Sequence, residues 1–126
     1  MTHRSRLCAA LIDVPADAYE QSVAFWGGAV GKADPAPDPE DPNYADLGNP
    51  IPRLQFMVQQ VDAPARIHLD IETDDIEAEV TRLTALGAHE VERIESWVVM
   101  RDPAGLLFCV VRPQFADFPE GARTWP

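Results

Sequence analysis

Apolar positions along this chain follow two periods, one typical of strands and one typical of helices. Ile67, Leu69 and Ile71 alternate with polar residues, and this period of two predicts a strand with one buried face. Spacings of three and four predict two amphipathic helices, with the apolar stripes Tyr19, Val23, Trp26, Val30 and Ile76, Val80, Leu83, Leu86. Gly31 and Gly87 follow the stripes, where a left-handed residue commonly ends a helix.

The strand and helix pattern occurs twice in the sequence. Residues 11–23 and 68–80 align without gaps and are identical at four positions, which are Asp13/Asp70, Asp17/Asp74, Glu20/Glu77 and Val23/Val80. Asp17 and Asp74 each stand three residues before a glutamate, as in a capping box, so we expect each to cap its helix. The sequence therefore predicts a duplication of strand, cap and helix.

Short strands are predicted after each helix. The first helix is followed by an exposed loop at 34–42, rich in proline and acid, and then by strands at 43–47 and 53–61. The second helix is followed by strands at 88–94, 97–101 and 106–112, with a turn at Asp102–Gly105 between the last two.

We therefore predict a single α+β domain over residues 1–126, built of two tandem βαβββ modules. Module one covers about 7–61 and module two about 65–112. The tail 113–126 has no periodicity, but Phe115, Phe118 and Trp125 are too apolar for free solvation. The tail is expected to pack on the body of the domain or on a second subunit.

Three local features accompany the duplication: the segment Ser22–Trp26 before Gly31, the segment Arg53–Asp70, and the Asp102–Gly105 turn before a final apolar strand. Together they resemble the vicinal oxygen chelate superfamily of glyoxalases, bleomycin-resistance proteins and extradiol dioxygenases, and its glyoxalase-like branch in particular. The likeness extends over nearly the whole chain to Arg112. It implies a cupped mixed sheet around a central cavity with helices outside, and in metal-dependent members one ligand on the first and last strand of each module.

The resemblance places the four ligand positions at Leu11, Gln59, His68 and Cys109. Leu11 has no donor atom, and Gln59 offers only a neutral amide. A catalytic divalent ion requires several nitrogen and oxygen donors around an open coordination position. We therefore assign no metal ligands. A divalent metal is possible but disfavoured, and the cofactor stays unknown.

His68 is the predicted catalytic residue. Ile67, Leu69 and Ile71 suit the face that packs on the helix, so His68 and Asp70 point the other way, toward the cavity that the resemblance implies. An imidazole with an ordinary pKa of about 6.5 suits proton transfer at neutral pH. Asp70 either orients this imidazole or faces solvent, and the alternative for His68 is a structural or surface histidine.

Apolar and aromatic residues complete the predicted ligand surface. Met57, Leu11 and Trp97 suit a binding pocket, although alternation alone leaves open whether Trp97 or its neighbour Val98 faces the cavity. Cys8 and Cys109 are expected to be reduced core thiols. The predicted ligand-binding residues are Leu11, Met57, Gln59, His68, Asp70, Trp97 and Cys109.

The charge balance limits the partners. Among 126 residues, 21 are acidic and 10 basic, and the net charge of -11 repels phosphate backbones and anionic lipid surfaces. We therefore expect no nucleic acid and no membrane as partner. The apolar run Leu7–Ile12 is too short for a secretory segment, which predicts a cytoplasmic protein.

Four functions remain open from the sequence. The first is a metal-independent small-molecule-binding protein or an unassigned enzyme of the glyoxalase-like type, in the class of lyases or isomerases. The second is a metal-dependent lyase, isomerase or dioxygenase. The third is a dimer that sequesters a planar or cationic drug, and the fourth is a purely structural partner. A homodimer is expected, because closed two-fold pairs are the commonest oligomers.

Overall fold

The computed structural model describes residues 2–126, and its strands and helices confirm the α+β class. Within these residues the strands are β1 (His3–Val14), β2 (Tyr44–Asp46), β3 (Gln55–Gln60), β4 (Arg66–Thr73), β5 (His89–Ile94), β6 (Trp97–Arg101), β7 (Leu107–Val111) and β8 (Arg123–Trp125). The helices are α1 (Tyr19–Val30), α2 (Ile76–Ala85) and the short α3 (Phe118–Gly121). The strands pair in both parallel and antiparallel fashion, so the sheet is mixed.

The residues fall into two compact units. The α1 unit is Ala9–His68, and the α2 unit consists of the residues up to Cys8 together with Leu69–Pro126. Strands β1 and β4 each contribute residues to both units. The single domain, its two module ranges and the enclosed cavity stay predictions, and Met1 lies outside the described residues.

In the α1 unit the strand order is β2, β3, β1, β4. Strand β1 runs parallel to β3, with Leu11 opposite Met57 and Asp13 opposite Gln59. The sheet packs against α1 through a core of alternate residues on these strands and on the helix, namely Ile12, Val14, Val58, Tyr19 and Val23.

The first half of the chain departs from the predicted βαβββ pattern. Two strands, β2 and β3, follow α1, and a third is replaced by an isolated bridge between Ile51 and Leu54. Pro50 and Pro52 flank Ile51 at this bridge, and proline lacks the amide that a strand ladder requires.

In the α2 unit the order is β1, β4, β7, β6, β5, and β8 also pairs with β1. Strand β4 runs parallel to β7, with Leu69 opposite Phe108 and Asp70 opposite Cys109. The face next to α2 forms a core that contains Val80, Val98, Met100, Phe108 and Val110. In both units, therefore, the strand before the helix is parallel to a strand that follows the helix, β1 to β3 and β4 to β7, and one helix covers one sheet face.

The helix ends agree with the predicted glycines and disagree with the predicted caps. Gly31 and Gly87 have φ of 77° and 112°, so both adopt the left-handed conformation that ends a helix. Neither Asp17 nor Asp74 is a cap, which corrects that prediction. Asp17 lies in a 3-10 turn at Ala16–Ala18 that delays the start of α1, and α2 is capped by Asp75, which accepts from the Ala78 amide at 3.0 Å.

Leu86 was predicted to extend the buried stripe of α2, and this is wrong. Its side chain is 69% exposed, because the helix ends one residue earlier, at Ala85. The other three stripe positions of α2 contribute to the core, Val80 as a buried residue and Ile76 and Leu83 packed against it.

The C-terminal tail packs on the body of the α2 unit, as the first of the two predicted alternatives states. Strand β8 pairs antiparallel with β1, with Trp125 opposite His3, and Phe118 is buried. Arg6 donates to both Glu72 and Asp117 at 2.8 Å, which joins β1 and β4 to the segment before α3.

A buried ionic cluster holds α2 against the first strand of the same unit. Glu79 is fully buried, contacts His3 Nε2 through Oε1 at 2.7 Å and accepts two hydrogen bonds from Arg82 at 2.8 Å. The Arg82 guanidinium lies 3.8 Å from the ring centroid of Trp125, whose indole donates to Ser5 at 2.9 Å. Burial raises the pKa of Glu79, but hydrogen bonds from Arg82, Ser5 and His3 outweigh this effect and the pKa is lowered.

We predict that Glu79→Gln lowers the free energy of unfolding by about 3 kcal/mol at pH 7, because it leaves Arg82 and His3 without their buried carboxylate. A lowered folded-state pKa means that the stabilisation is complete above the ordinary value of 4.5 and is lost as pH falls through the folded value. The difference between wild type and variant should therefore narrow below pH 4.5 in urea unfolding followed by circular dichroism.

The matched control is Glu77→Gln, two residues earlier on α2, where the carboxylate is exposed and pairs with Arg93 at the surface. We expect the stability of this variant to stay close to that of wild type. Equal losses in the two variants, or a gap that does not change with pH, would contradict the role assigned to Glu79.

Candidate functional site

The predicted site residues of the α1 unit lie on the sheet face that α1 leaves uncovered. Ile12, Val14 and Val58 pack on the helix, so Leu11 on β1 and its register partner Met57 on β3 point to the opposite face. Gln59 follows Met57 on the same face and donates from its side-chain amide to the Tyr44 hydroxyl at 3.0 Å. Leu11 is buried, whereas Met57 and Gln59 are half-buried.

A buried carboxylate and a buried imidazole are in contact on this face. His68 Nδ1 lies 2.6 Å from Asp13 Oδ2, and the two residues are 7% and 1% exposed. Arg66 Nε donates to the same oxygen at 3.1 Å. The second oxygen, Asp13 Oδ1, is buried and has no hydrogen-bond partner among residues 2–126. One oxygen of the carboxylate is thus shared by two partners, and the other has an unmet acceptor capacity.

This arrangement has a defined chemical consequence for the imidazole. An ionised carboxylate only accepts hydrogen bonds, so the 2.6 Å contact requires a proton on His68 Nδ1. In the neutral ring the basic nitrogen is then Nε2. Asp13 would also stabilise the imidazolium formed when Nε2 gains a proton. The pair therefore has the arrangement of a general base with its orienting group.

In the α2 unit the predicted site residues also lie on the face opposite the helix. Val98 and Met100 are buried against α2, which places Trp97 on the other face of the sheet. Cys109 stands between the core residues Phe108 and Val110, so it too points away from α2, opposite Asp70 on the neighbouring strand. Asp70, Trp97 and Cys109 thus share one face of this unit.

The residues at the superfamily's ligand positions do not form its complete metal site. Leu11 is a hydrocarbon and Gln59 is a neutral amide engaged with Tyr44. The contact of His68 Nδ1 with Asp13 does not by itself argue against a metal, because metal-binding histidines commonly donate their other ring nitrogen to a carboxylate. The carboxylate and thiol of Asp70 and Cys109 are donors in the α2 unit, but a position without any donor atom breaks the four-ligand pattern. No catalytic step is therefore assigned to a metal.

The two thiols differ in their surroundings, and neither forms a disulfide. Cys8 is buried, and its Sγ lies 3.6 Å from the Asp70 carbonyl oxygen. Burial, reinforced by the charges of Asp70 and Glu72, raises the pKa of the Cys8 thiol far above its ordinary value. Cys8 is therefore a core residue without nucleophilic character at neutral pH.

A separate pocket of about 250 Å³ lies within the α2 unit, on the side of the sheet that carries α2. Its lining is mostly aliphatic and includes Leu7, Leu83, Leu86 and Leu106. None of the residues predicted to bind a ligand lines it, so this pocket is distinct from the faces described above.

Sequence reasoning missed Asp13 and Arg66 as members of the site. A usable signal was present for each, because Asp13 stands two residues after Leu11 and Arg66 two residues before His68, which places both on faces already selected. Asp13 is moreover the one acidic residue in the apolar run Leu7–Val14, and a charge in such a run requires a partner.

A comparison with one solved structure shows the fold. A chain titled NAD-dependent benzaldehyde dehydrogenase from Legionella pneumophila matches with a TM-score of 0.59 at 10% identity, over 83% of this chain and 99% of that one. A glyoxalase I mutant from Zea mays matches with a TM-score of 0.31 at 18% identity, over 92% of this chain and 49% of that one. This chain thus spans about half the length of the maize enzyme.

A search of curated proteins gave no significant match. Within residues 2–126 no helix has the length and apolar character needed to cross a membrane. A family model described as glyoxalase-like domain matches residues 9–111, which is most of the sequence. The chain therefore belongs to the glyoxalase-like domain family.

Proposed function

We propose that this protein binds a small molecule on the helix-free face of the α1 unit and that His68, oriented by Asp13, exchanges a proton with it. The observation that carries this proposal is the buried 2.6 Å contact between His68 Nδ1 and Asp13 Oδ2. Membership of the glyoxalase-like family supports the small-molecule ligand. The reaction class expected from the family resemblance is that of a lyase or isomerase.

A purely structural role explains the Asp13 and His68 pair less well. The core between the sheet and α1 is formed by apolar residues on the other face, so the pair is not needed to fill it. Removing a carboxylate from water costs several kcal/mol, and Asp13 Oδ1 recovers none of this from a donor within residues 2–126. A buried carboxylate oxygen without a donor is rare in folded proteins, and a role in binding or catalysis is one of the few explanations for it.

Proton transfer at this site needs only the groups that the chain supplies. Asp13 keeps the proton on Nδ1, and Nε2 accepts a proton from a C–H or O–H group of the ligand. Asp13 then stabilises the imidazolium until the proton returns to the ligand. Leu11 and Met57 on the same face would exclude water from the apolar part of the ligand.

We further infer a cytoplasmic homodimer. Two-fold pairs are the commonest assemblies, and the α2 unit leaves Leu7, Leu86 and Leu106 exposed by 51%, 69% and 47%. Packing of the tail on its own unit removes one reason for a dimer, so support for a second subunit now rests on these leucines.

For a ligand found by thermal shift in a panel of small metabolites, we predict that Asp13→Asn lowers kcat about 10²–10⁴-fold, because the ring loses its orienting carboxylate. His68→Gln should lower kcat in the same range, while KM changes little in both variants. Steady-state kinetics on the ligand that is turned over gives both constants.

Asp17→Asn is the matched control, since Asp17 is exposed in the turn before α1, and this variant should keep the wild-type kcat. An Asp13→Asn variant that folds and retains full kcat would contradict the proton-transfer role. A ligand that binds tightly without any turnover would also reject that role and leave binding alone.

The metal-dependent alternative is tested separately. Protein purified without chelators or immobilised metal should contain less than one equivalent of any divalent ion by elemental analysis. Zinc, nickel, manganese and cobalt should leave the Tm unchanged, whereas an ion present at 100 times its Kd would add about 2.7 kcal/mol of stability. Stabilisation by one of these ions that is lost in both His68→Gln and Cys109→Ser would establish the metal-dependent function instead.

A further inference from the structure

The Arg66 guanidinium lies next to the Asp13 and His68 pair, on its solvent-exposed side. Its side chain is 41% exposed, and its Nε donates to Asp13 Oδ2, the oxygen that also contacts His68. Arg66 makes no other hydrogen bond or ion pair with residues 2–126. One end of the group is therefore fixed at the pair, and the other end is accessible to a ligand.

The two terminal nitrogens of the Arg66 guanidinium have a specific binding preference. A guanidinium carries five N–H donors in a planar fork, and Asp13 uses the one on Nε. The two terminal nitrogens can donate in parallel to the two oxygens of a carboxylate, a pairing that lysine cannot reproduce. Arg66 thus offers a two-point site for a planar anion next to the proposed base.

The exposed guanidinium of Arg66, and not the net charge, is the feature that favours an anion at this site. Asp13 and Arg66 balance each other, so a neutral His68 leaves the pair and Arg66 without net charge. The whole chain carries a net charge of -11 and repels anions in general, so an anionic ligand needs a local cation. A cationic ligand would instead meet the exposed guanidinium.

Two further observations limit the rest of the ligand. Leu11 and Met57 lie on the same sheet face as Asp13, which suits an apolar body beside the charged group. Asp13 Oδ1 is a buried acceptor without a donor, which suits a ligand hydroxyl or a water molecule held with the ligand.

We infer that the ligand of this site is a small monocarboxylate with a compact apolar body, bound by two hydrogen bonds to Arg66 so that the atom next to its carboxylate lies at His68. This inference rests on the proposed function and adds the chemical class of the ligand. Arg66 is a specificity-determining residue, and His68 is the group that exchanges the proton.

The test uses benzoate and lactate as probes, with the neutral amides benzamide and lactamide as matched compounds. Each is titrated into the full chain while the ring nitrogens of the histidines are observed by ¹⁵N NMR, with the His68 signals assigned from His68→Gln. At least one carboxylate should shift the His68 signals and bind about tenfold or more tightly than its amide.

Arg66→Gln should lower the affinity for that carboxylate about tenfold or more and leave the affinity for the amide unchanged. Arg66→Lys should restore part of the loss, because it keeps the charge without the fork. Arg4→Gln is the control for net charge, since Arg4 lies on the α2 unit and is half-exposed near Asp74, and it should bind as wild type does.

The other outcomes would reject the carboxylate inference, or reject both this inference and the proposed function. Equal affinity for a carboxylate and its amide, with shifts at His68, would overturn the carboxylate inference and leave the proposed function standing. Equal losses in Arg4→Gln and Arg66→Gln would show that net charge decides binding, which also overturns the inference. If no carboxylate, amide or metabolite of the panel shifts the His68 signals, both the carboxylate inference and the proposed function are rejected.

Discussion

Alternation of side chains along a strand is the constraint on which this structure depends. In each unit one helix covers one face of the sheet, and the apolar residues of that face form a core with it. Polar residues on the same strands are thereby directed to the opposite face. Asp13 and His68 lie there in the α1 unit, and Asp70 and Cys109 lie there in the α2 unit.

Two buried carboxylate and histidine pairs show how similar chemistry serves different purposes. Glu79 contacts His3, accepts two hydrogen bonds from Arg82, and belongs to a cluster closed by Trp125. That cluster is saturated, and it joins α2 to the N-terminal half of β1 and to the tail. Asp13 has two partners on one oxygen and none on the other, and its arginine is partly exposed. The Asp13 and His68 pair has an unsatisfied oxygen and lies next to a partly exposed arginine, which suits ligand binding. The Glu79 and His3 pair has all its carboxylate oxygens hydrogen-bonded, which suits a role in stability.

The sequence predicted those features that depend on local periodicity. Strand β6 was predicted at its observed bounds, and Gly31 and Gly87 were recognised as helix ends, because alternation and left-handed glycines are local properties. The caps were wrong, since a 3-10 turn before α1 and the choice between the adjacent Asp74 and Asp75 depend on the surrounding contacts. Leu86 was assigned to the core because its spacing fits a helix that in fact ends at Ala85.

The sequence alone predicted only part of the candidate site. His68 was selected from its strand face and from the family resemblance, but Asp13 lies 55 residues earlier and is joined to it by strand pairing alone. The internal repeat marked Asp13 as equivalent to Asp70 without showing that Asp13 contacts His68. Arg66 lies in the segment Arg53–Asp70 that carries part of the resemblance, but no role was predicted for it, and its hydrogen bond to Asp13 is visible only in the structure.

The most direct test of the central claim is the tautomer of His68. In ¹⁵N NMR spectra of the ligand-free protein, recorded at a pH where the ring is neutral, Nδ1 should have the shift of a protonated ring nitrogen and Nε2 that of an unprotonated one. This result would show that the contact with Asp13 keeps the proton on Nδ1 and makes Nε2 the base. The opposite tautomer in the folded protein would contradict the account.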